Sequence, residues 1–236
     1  MVIGERDFLN LQKRGYNWEC TEEGYPIVKG LKLRSEPELV EFHEAHRVHK
    51  NLRKDKIVSF FLPDYLFERC WSRLTQTTTF VSLFKGALSP DFSQYTDMPD
   101  IMRRWNHYRK MFVHKYWETS GIKVIPTICW SDEKSFEYCF KGVPKHSLVA
   151  VSSVGVHRSK RARDLFKYGY EKMLDELEPS QILFYGKTFD YVEPTWTLGH
   201  IRNERFNKLK AEKALNQEAK SVPTFKEGNK KQLLIE

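Results

Sequence analysis

Residues 121–132 read GIKVIPTICWSD, and this stretch carries the strongest structural signal in the chain. Most of residues 122–128 are β-formers, and the run is short and bounded by Gly121 and Ser131. Its apolar residues do not alternate strictly with polar ones, which is typical of a parallel strand covered by helices on both faces. Polar residues follow at 129–132, at the edge where open α/β sheets place their ligands. The stretch therefore predicts a buried central strand that ends at a ligand site.

Strand and helix patterns alternate on both sides of this stretch. Further strands are predicted at 57–62, 87–89, 148–153 and 181–185, and helical patterns separate them. This alternation predicts an α/β fold, with a mainly parallel sheet of about five strands and flanking helices. Five strands are too few to close an eight-stranded barrel. The architecture is therefore expected to be either an open sheet or a partial barrel.

The longest helix is predicted at 99–120. Its apolar residues recur at helical spacing and predict a stripe that packs against the sheet: Ile101, Trp105, Tyr108, Phe112 and Tyr116. The opposite face is expected to be basic, with Arg103, Arg104, Arg109 and Lys110.

Three parts of the chain are expected. Residues 1–50 form an N-terminal segment that packs on the core, and SEPELVEF at 35–42 predicts a helix with Ser35 as its N-cap and Glu38 completing a capping box. Residues 51–195 form the α/β core. Residues 196–236 form a basic C-terminal helix and tail, and the part beyond about Ser221 has little apolar surface to bury.

Composition limits the classes of function. The 236 residues have a formal net charge of +8, which favours acidic partners, with nucleic acid first among them. No apolar run approaches the roughly 18 residues that span a bilayer, and charge appears too early for a secretory signal. We therefore expect no membrane association and a location in the cytoplasm of the host cell. The four widely spaced cysteines are expected to be reduced.

Basic residues cluster in three places that could contact phosphates. We expect a basic helix at 46–56, a basic face on the helix at 99–120, and a basic stretch that begins near 158. The candidate nucleic-acid contacts are Arg47, Lys50, Arg53, Lys54, Arg103, Arg104, Arg109, Arg158 and Arg161. His43, His46 and His49 do not converge at helical spacing, so no metal site is predicted there.

Several segments together are distinctive: SPDFSQYTDMP, RRWNHYR in the helix that follows, GIKVIPTICWSDEKSFEYCF, VAVSSVGV and ILFYGK. In their order and spacing they resemble an uncharacterised family, a domain of unknown function carried by bacteriophages and bacterial mobile elements. The resemblance covers about residues 57–190. It implies a phage or mobile-element origin and supplies no activity and no catalytic residues.

Polar residues that follow the predicted strands should meet at one edge of a parallel sheet. Asp64, Asp91 and Asp132 are the candidate catalytic carboxylates, and such oxygen ligands could hold Mg²⁺, although the sequence leaves any cofactor unknown. Asp64 and Asp132 can also be explained as helix caps. Asp91 is the least explained, because no clear helix follows it. The candidate ligand-binding residues are Trp130, Ser131, Ser152, Gly155, Tyr185 and Lys187.

Three hypotheses of different classes follow. The first is a phage or mobile-element accessory protein that binds nucleic acid through basic helices. The second is an enzyme that acts on a nucleotide, nucleoside or nucleic acid at a strand-end carboxylate pocket. The third is an inhibitor or recruiter of a host protein. No Walker A, GxSxG, HExxH or GxGxxG motif is present to name a reaction.

Overall fold

The computed structural model describes residues 16–199. Eight strands lie at Glu38–Glu41 (β1), Lys56–Ser59 (β2), Gly86–Leu88 (β3), Val124–Ile125 (β4), Thr127–Ile128 (β5), Leu148–Ser152 (β6), Gln181–Tyr185 (β7) and Trp196–Leu198 (β8). Four α-helices lie at Arg69–Ser72 (α1), Leu74–Val81 (α2), Asp100–Thr119 (α3) and Lys160–Leu177 (α4). Short 3-10 segments occur at Ala45–Arg47, Lys50–Asp55, Asp64–Leu66, Glu133–Glu137 and Val156–Arg158.

Consecutive strands pair in parallel, except β4 and β5, which do not pair with each other. Two four-stranded ladders run β1-β2-β3-β4 and β5-β6-β7-β8. This arrangement confirms the predicted α/β fold with a mainly parallel sheet, and it adds β1 and β8 at the two ends. The sheet therefore extends past both boundaries of the predicted core at 51–195.

Pro126 separates β4 from β5 within the predicted central strand. Proline has no N–H to give to a ladder, but its carbonyl oxygen accepts a hydrogen bond from the Ala150 N–H at 2.8 Å. On the other side, the Ser89 N–H donates to the Ile125 carbonyl oxygen at 2.9 Å. One central strand with a proline in its middle thus joins the two ladders.

The sheet is rolled rather than flat. The Phe61 ring, just beyond β2, stacks on the Tyr185 ring at the end of β7, with 5.1 Å between the ring centroids. Four strand spacings separate β2 from β7, which in a flat sheet is roughly 19 Å. Only a curved sheet brings these rings together. Because no pairing joins β1 to β8 within residues 16–199, the structure is a partial barrel.

Two predictions for the N-terminal part are wrong. The helix predicted to begin at Ser35 is not formed, because residues 38–41 form β1 and pair with β2. The basic helix predicted at 46–56 is replaced by two short 3-10 segments. In both places local helix signals are outweighed by contacts with residues elsewhere in the chain. The Lys85 N–H, for example, donates to the carbonyl oxygens of Arg53 and Lys56.

The bounds predicted for the longest helix agree with α3, but its predicted buried face is wrong. Ile101 is 74% exposed and Trp105 is 43% exposed. The stripe that faces the protein interior is instead largely polar and recurs at spacings of four and three: Arg103, His107, Lys110, His114 and Trp117. α3 therefore turns much of its charge inward.

The aromatic stripe of α3 packs on other elements. Trp105 stacks on Tyr108 with 5.5 Å between ring centroids and meets the edge of Trp71 from α1 at 5.2 Å. Phe112 contacts Trp71 at 5.6 Å and Trp18 at 5.1 Å. The large rings of α3 are thus partly covered by α1 and the N-terminal segment rather than by the sheet.

Most of the predicted C-terminal helix and tail cannot be compared with the structure. The C-terminal helix and tail predicted at 196–236 begin with strand β8, and their remainder from residue 200 lies outside the described residues.

Within residues 16–199, no helix combines the length and the apolar character that crossing a membrane requires.

Helix α4 closes over the outer face of β6 and β7. Phe166, Tyr170 and Met173 pack into the same cluster as Val151 and Phe184. Gly169 lies among them, and a side chain at this position would overlap the Trp130 indole. Glycine in a helix is unfavourable by about 1 kcal/mol relative to alanine, so its presence here reflects the close approach of Trp130.

We expect Gly169→Ala to lower the free energy of unfolding by about 1–3 kcal/mol, because the added methyl group overpacks the contact between Trp130 and α4. Urea denaturation measures the change. Asp175→Ala, at an exposed position of the same helix, serves as the control and should change stability little. A Gly169→Ala protein as stable as the wild type would contradict this packing.

Candidate functional site

The carboxyl ends of the parallel strands meet at one edge of the rolled sheet. Asp91 follows β3, residues 129–132 follow β5, Ser152 ends β6, and Lys187 follows β7. The topology therefore brings the predicted strand-end residues to the same edge, where α/β folds commonly bind ligands. The side chains nevertheless differ widely in their surroundings.

Asp64 is not a helix cap. The 3-10 segment that begins at Asp64 has Pro63 in the cap position and no side-chain cap. The Asp64 carboxylate instead accepts hydrogen bonds from the Ser93 N–H at 3.2 Å and the Ser93 hydroxyl at 2.8 Å. Asp64 therefore ties the loop after β2 to the loop after β3.

Asp132 is not a side-chain cap either. It precedes the 3-10 segment Glu133–Glu137 but makes no capping hydrogen bond. The buried Arg103 guanidinium donates from Nη1 to Asp132 Oδ1 and to Ser131 Oγ, each at 2.9 Å. Asp132 and Ser131 are thus held in place by α3.

Asp91 is half-buried, and it lies among charged and sulfur-containing groups. Its Oδ1 is shielded from solvent and has no hydrogen-bond partner within residues 16–199. Burial raises the pKa of Asp91 to about 6, opposed by the positive charge of Lys110 and a hydrogen bond with Cys129, while nearby Asp64 raises it further. Asp91 is therefore a carboxyl group that can gain or lose a proton near neutral pH.

Sequence reasoning missed Lys110 as a site residue, because it placed this side chain on an exposed basic face. Lys110 is 1% exposed, and its ammonium donates to Cys129 Sγ at 3.4 Å. The available signal was the spacing of polar residues along α3. Arg103, Lys110 and His114 share one face of the helix, the face that the aromatic stripe was expected to leave to solvent.

A cleft of about 410 Å³ lies at this edge of the sheet. Its walls come from the loop at 94–96, from Trp130 and Ser131, and from the segment at 154–162 that leads into α4. Gly155 adopts a left-handed conformation, with φ of +85°, at the turn of this segment. The Ser159 hydroxyl accepts a hydrogen bond from the Ala162 N–H and caps α4. Arg158 and Arg161 are exposed at the cleft, and no lining residue is acidic.

Trp130 forms the inner wall of the cleft. Its Nε1–H donates to the Leu165 carbonyl oxygen at 3.2 Å, and its ring packs against Phe166 with 5.1 Å between centroids. The indole is thus fixed in orientation and only partly exposed. Tyr95, across the cleft, is 60% exposed.

The other predicted ligand-binding residues, Ser152, Tyr185 and Lys187, do not line this cleft. Tyr185 is fully buried and stacks on Phe61. The Ser152 hydroxyl accepts a hydrogen bond from the Val154 N–H at 3.1 Å. Lys187 is exposed, and its carbonyl oxygen accepts a hydrogen bond from Ser153 Oγ at 2.8 Å.

The three arginines predicted on an exposed face of α3 are engaged within the protein, and two of them are buried, contrary to expectation. Arg103 pairs with Asp132, and Arg104 pairs with Asp100 and Glu137 at 2.6 and 2.7 Å. Arg109 pairs with Glu68 at 2.7 Å and lies over the Phe92 ring at 3.9 Å. We leave these three arginines out of the interface proposed below.

The basic residues near 50 differ among themselves. Arg47 pairs with Glu44 at 2.7 Å, and the Lys54 ammonium donates to the Ser82 carbonyl oxygen at 3.0 Å. Arg53 donates to the Val48 carbonyl oxygen at 3.1 Å and lies over Phe84. Lys50 is exposed. Exposed positive charge near the strand ends is thus most concentrated around the start of α4, where Lys160 and Arg163 are also exposed.

Comparison with known proteins places the chain in an uncharacterised family that is associated with phages. The family model described as "Domain of unknown function (DUF4417)" matches residues 22–202, and the chain belongs to this family. The resemblance to a domain of unknown function carried by phages is thus confirmed.

Two curated relatives are named "Gene 1 protein". One, from Mycobacterium phage L5, is 43% identical over 128 residues, which cover 54% of this chain and 56% of the relative. The other, from Mycobacterium phage D29, is 41% identical over 128 residues, which cover 54% of this chain and 47% of the relative. The chain therefore matches only about half the length of these relatives. No solved structure matches it.

Two buried histidines make the stability of this edge depend on pH. His114 Nδ1 lies 2.8 Å from Ser89 Oγ, and the His107 Nε2–H donates to the Lys141 carbonyl oxygen at 3.1 Å. Burial lowers the pKa of His114 to about 3 and also holds the pKa of His107 well below its usual value. Both rings stay neutral in the folded protein at pH values where they gain a proton in the unfolded chain.

We expect the free energy of unfolding to fall by about 1.4 kcal/mol per pH unit between about pH 6 and pH 4. Below pH 6.5 each histidine lowers the free energy of unfolding by up to about 1.4 kcal/mol for each pH unit, because only the unfolded chain binds the proton. Asp91 acts in the opposite direction, because its raised pKa makes the folded protein take up a proton first.

Urea denaturation at a series of pH values measures this slope. Asp91→Asn removes the opposing contribution, so its slope should be about twice as steep. A stability that is flat over this range would contradict the buried neutral histidines.

Proposed function

We propose that this protein binds single-stranded nucleic acid and that the cleft at the start of α4 takes one nucleotide of the strand. The observation that carries the proposal is the meeting of exposed arginines and aromatic rings at one cleft of suitable size. A volume of about 410 Å³ falls within the range of small-ligand sites.

The phosphate would lie at the basic wall of the cleft. Arg158 and Arg161 are exposed there, on the two sides of the Ser159 cap, and α4 is long enough for its dipole to favour negative charge at its first turn. Neutralisation of phosphates by such side chains supplies most of the affinity of non-specific nucleic-acid binding.

The base would stack on aromatic rings. Tyr95 offers an exposed ring at the rim, and Trp130 offers a partly exposed ring whose orientation is fixed by Leu165 and Phe166. Stacking requires an unpaired base, so the arrangement favours single strands over duplex. Because every base has an aromatic face, the site should tolerate most sequences.

A protein partner is supported less well. The face of α3 that exposes Ile101, Met102 and Trp105 is the kind of apolar surface that the host-protein hypothesis requires. Its charged neighbours Asp100 and Arg104 pair with each other at 2.6 Å, so they offer little free charge to select a partner. The cleft combines charge with aromatic rings and thus favours nucleic acid.

We expect Arg158→Ala together with Arg161→Ala to weaken binding of a fluorescein-labelled 20-nucleotide DNA single strand at least tenfold in 50 mM salt. The slope of log affinity against log salt should fall in magnitude by about 1.4, because two phosphate contacts are lost. Fluorescence anisotropy between 50 and 200 mM salt measures both quantities.

The control for this pair is Lys85→Ala together with Lys123→Ala. Both lysines are exposed, and they precede β3 and β4 at the opposite edge of the sheet. This control removes the same charge and should retain most of the affinity. Equal losses in the two double variants would show a general charge effect and no site, and a wild-type protein that does not bind at 50 mM salt would reject the proposal.

We expect Tyr95→Ala to weaken binding of the single strand by a factor of about ten, because one stacked base is lost. Binding of the matching duplex should change little, since paired bases do not reach the ring. Tyr65→Ala, which removes another exposed tyrosine at 79% exposure, is the matched control. Equal effects of Tyr95→Ala on single strand and duplex would contradict stacking at the cleft.

A further inference from the structure

Lys110 is a buried cation with few partners. It lies in the middle of α3, and the one hydrogen bond that residues 16–199 give its ammonium goes to the sulfur of Cys129. An ammonium has three donors, and a thiol sulfur is a weak acceptor. A buried charge is costly unless an opposite charge and hydrogen bonds compensate it. Lys110 therefore depends on a nearby anion.

Asp91 is a nearby anion, although its carboxylate forms no direct ion pair with Lys110. The positive charge of Lys110 acts on its carboxyl group, and the Cys129 thiol hydrogen-bonds to it. The carboxyl group is nevertheless incompletely satisfied, since its buried Oδ1 has no partner in the described part of the chain. Asp91, Lys110 and Cys129 form what we term the inner cluster.

In the inner cluster, Asp91 Oδ1 can still accept a hydrogen bond and the Lys110 ammonium can still donate one. Native proteins rarely leave buried polar groups without such partners. A group that suits both can donate one hydrogen bond to a carboxylate and accept one from an ammonium. Water and hydroxyl groups do so, whereas a phosphate would be repelled by Asp91.

Two loops connect the inner cluster to the nucleotide cleft along the chain, although none of its three residues lines the cleft. Cys129 directly precedes Trp130, which lines the cleft, and Asp91 lies three residues before Gln94, which lines it as well. Gln94 also accepts a hydrogen bond from the Tyr138 hydroxyl at 3.0 Å, so this loop is held in place.

We propose that Asp91 is the general base of a hydrolytic site that activates water against a nucleotide bound in the cleft, with Lys110 as its positioning residue. The inference rests on the proposed function for the identity of the ligand. Water loses a proton to Asp91 while its oxygen bonds to the phosphorus or the anomeric carbon of the nucleotide. The bond to the leaving oxygen or base nitrogen breaks, and the leaving group takes the proton back from Asp91.

Lys110 acts through Asp91 and not on the ligand. Its positive charge favours the ionised carboxylate, which opposes the effect of burial and of Asp64. Without Lys110, the carboxyl group would hold its proton to higher pH and would be a base over a narrower range. The pH at which Asp91 ionises is therefore the property that reports on Lys110.

The first test uses the full chain without ligand. Aspartate carboxyl carbons labelled with ¹³C are followed by NMR from pH 3 to pH 8, and Asp91→Asn identifies the Asp91 signal by its loss. We expect this signal to titrate near pH 6 in the wild type and at higher pH in Lys110→Met. Lys115→Met, on the same helix and paired with Glu118, should leave it in place. An Asp91 signal that titrates near pH 4, or that does not move in Lys110→Met, would overturn the inner cluster.

The second test measures cleavage of fluorescein-labelled 20-nucleotide single strands of DNA and of RNA. Shortened strands report phosphoester hydrolysis, and strands that break only after mild alkali report loss of a base. We expect the wild-type rate to rise through about pH 6, Asp91→Asn to lose about 10²- to 10⁴-fold, and Lys110→Met to shift the rise to higher pH. Asp97→Asn, at an exposed position of the same loop, should behave like the wild type.

The two proposals fail in different ways. Binding without cleavage of either strand at any pH overturns the hydrolytic site and leaves the binding function standing. Absence of binding to both strands overturns the two together. Cleavage that survives Asp91→Asn would mean that another residue is the base.

Discussion

The inward-facing polar stripe of α3 is the constraint on which much of this structure depends. Arg103 and Lys110 are buried cations, and such groups are tolerated only where anions or hydrogen-bond acceptors meet them. Asp132 and Ser131 accept hydrogen bonds from Arg103, Cys129 accepts one from Lys110, and the negative charge of Asp91 lies near Lys110. Because these partners lie after β3 and β5, a single helix fixes the ends of two strands and the loops that follow them.

The rolled sheet has a complementary role. Pro126 interrupts the central strand without breaking the sheet, since its carbonyl oxygen still accepts a hydrogen bond from Ala150 of the neighbouring strand. The stacking of Phe61 on Tyr185 draws β2 towards β7 across the roll. The curvature brings loops from distant parts of the sequence to one rim. The cleft itself is lined by loops that follow the neighbouring strands β3, β5 and β6.

The rim then divides into two environments. The inner cluster is partly to fully buried, and burial there moves the pKa of Asp91 towards neutrality. The cleft is open, and its exposed arginines can attract phosphate. Trp130 lines the cleft directly after Cys129 of the inner cluster, and Gly169 lets α4 approach closely enough to hold the indole. In the proposed function, the buried charge would serve proton chemistry and the exposed charge would serve binding.

The sequence by itself determined the central strand, the alternation of strands and helices, the extent of α3 and the family. Each of these depends on local pattern or on the order of motifs along the chain. It also singled out Asp91, because no helix start explained it. Only the tertiary structure decided that residues 38–41 form a strand, since their partner is β2. It alone decided which face of α3 is buried, because the aromatic and polar stripes have the same helical period. The choice between them depends on partners far along the chain. Arg109 pairs with Glu68, which is 41 residues away, and Arg103 pairs with Asp132, which is 29 residues away. Compensation of a buried charge depends on distance in space, which a local pattern does not contain.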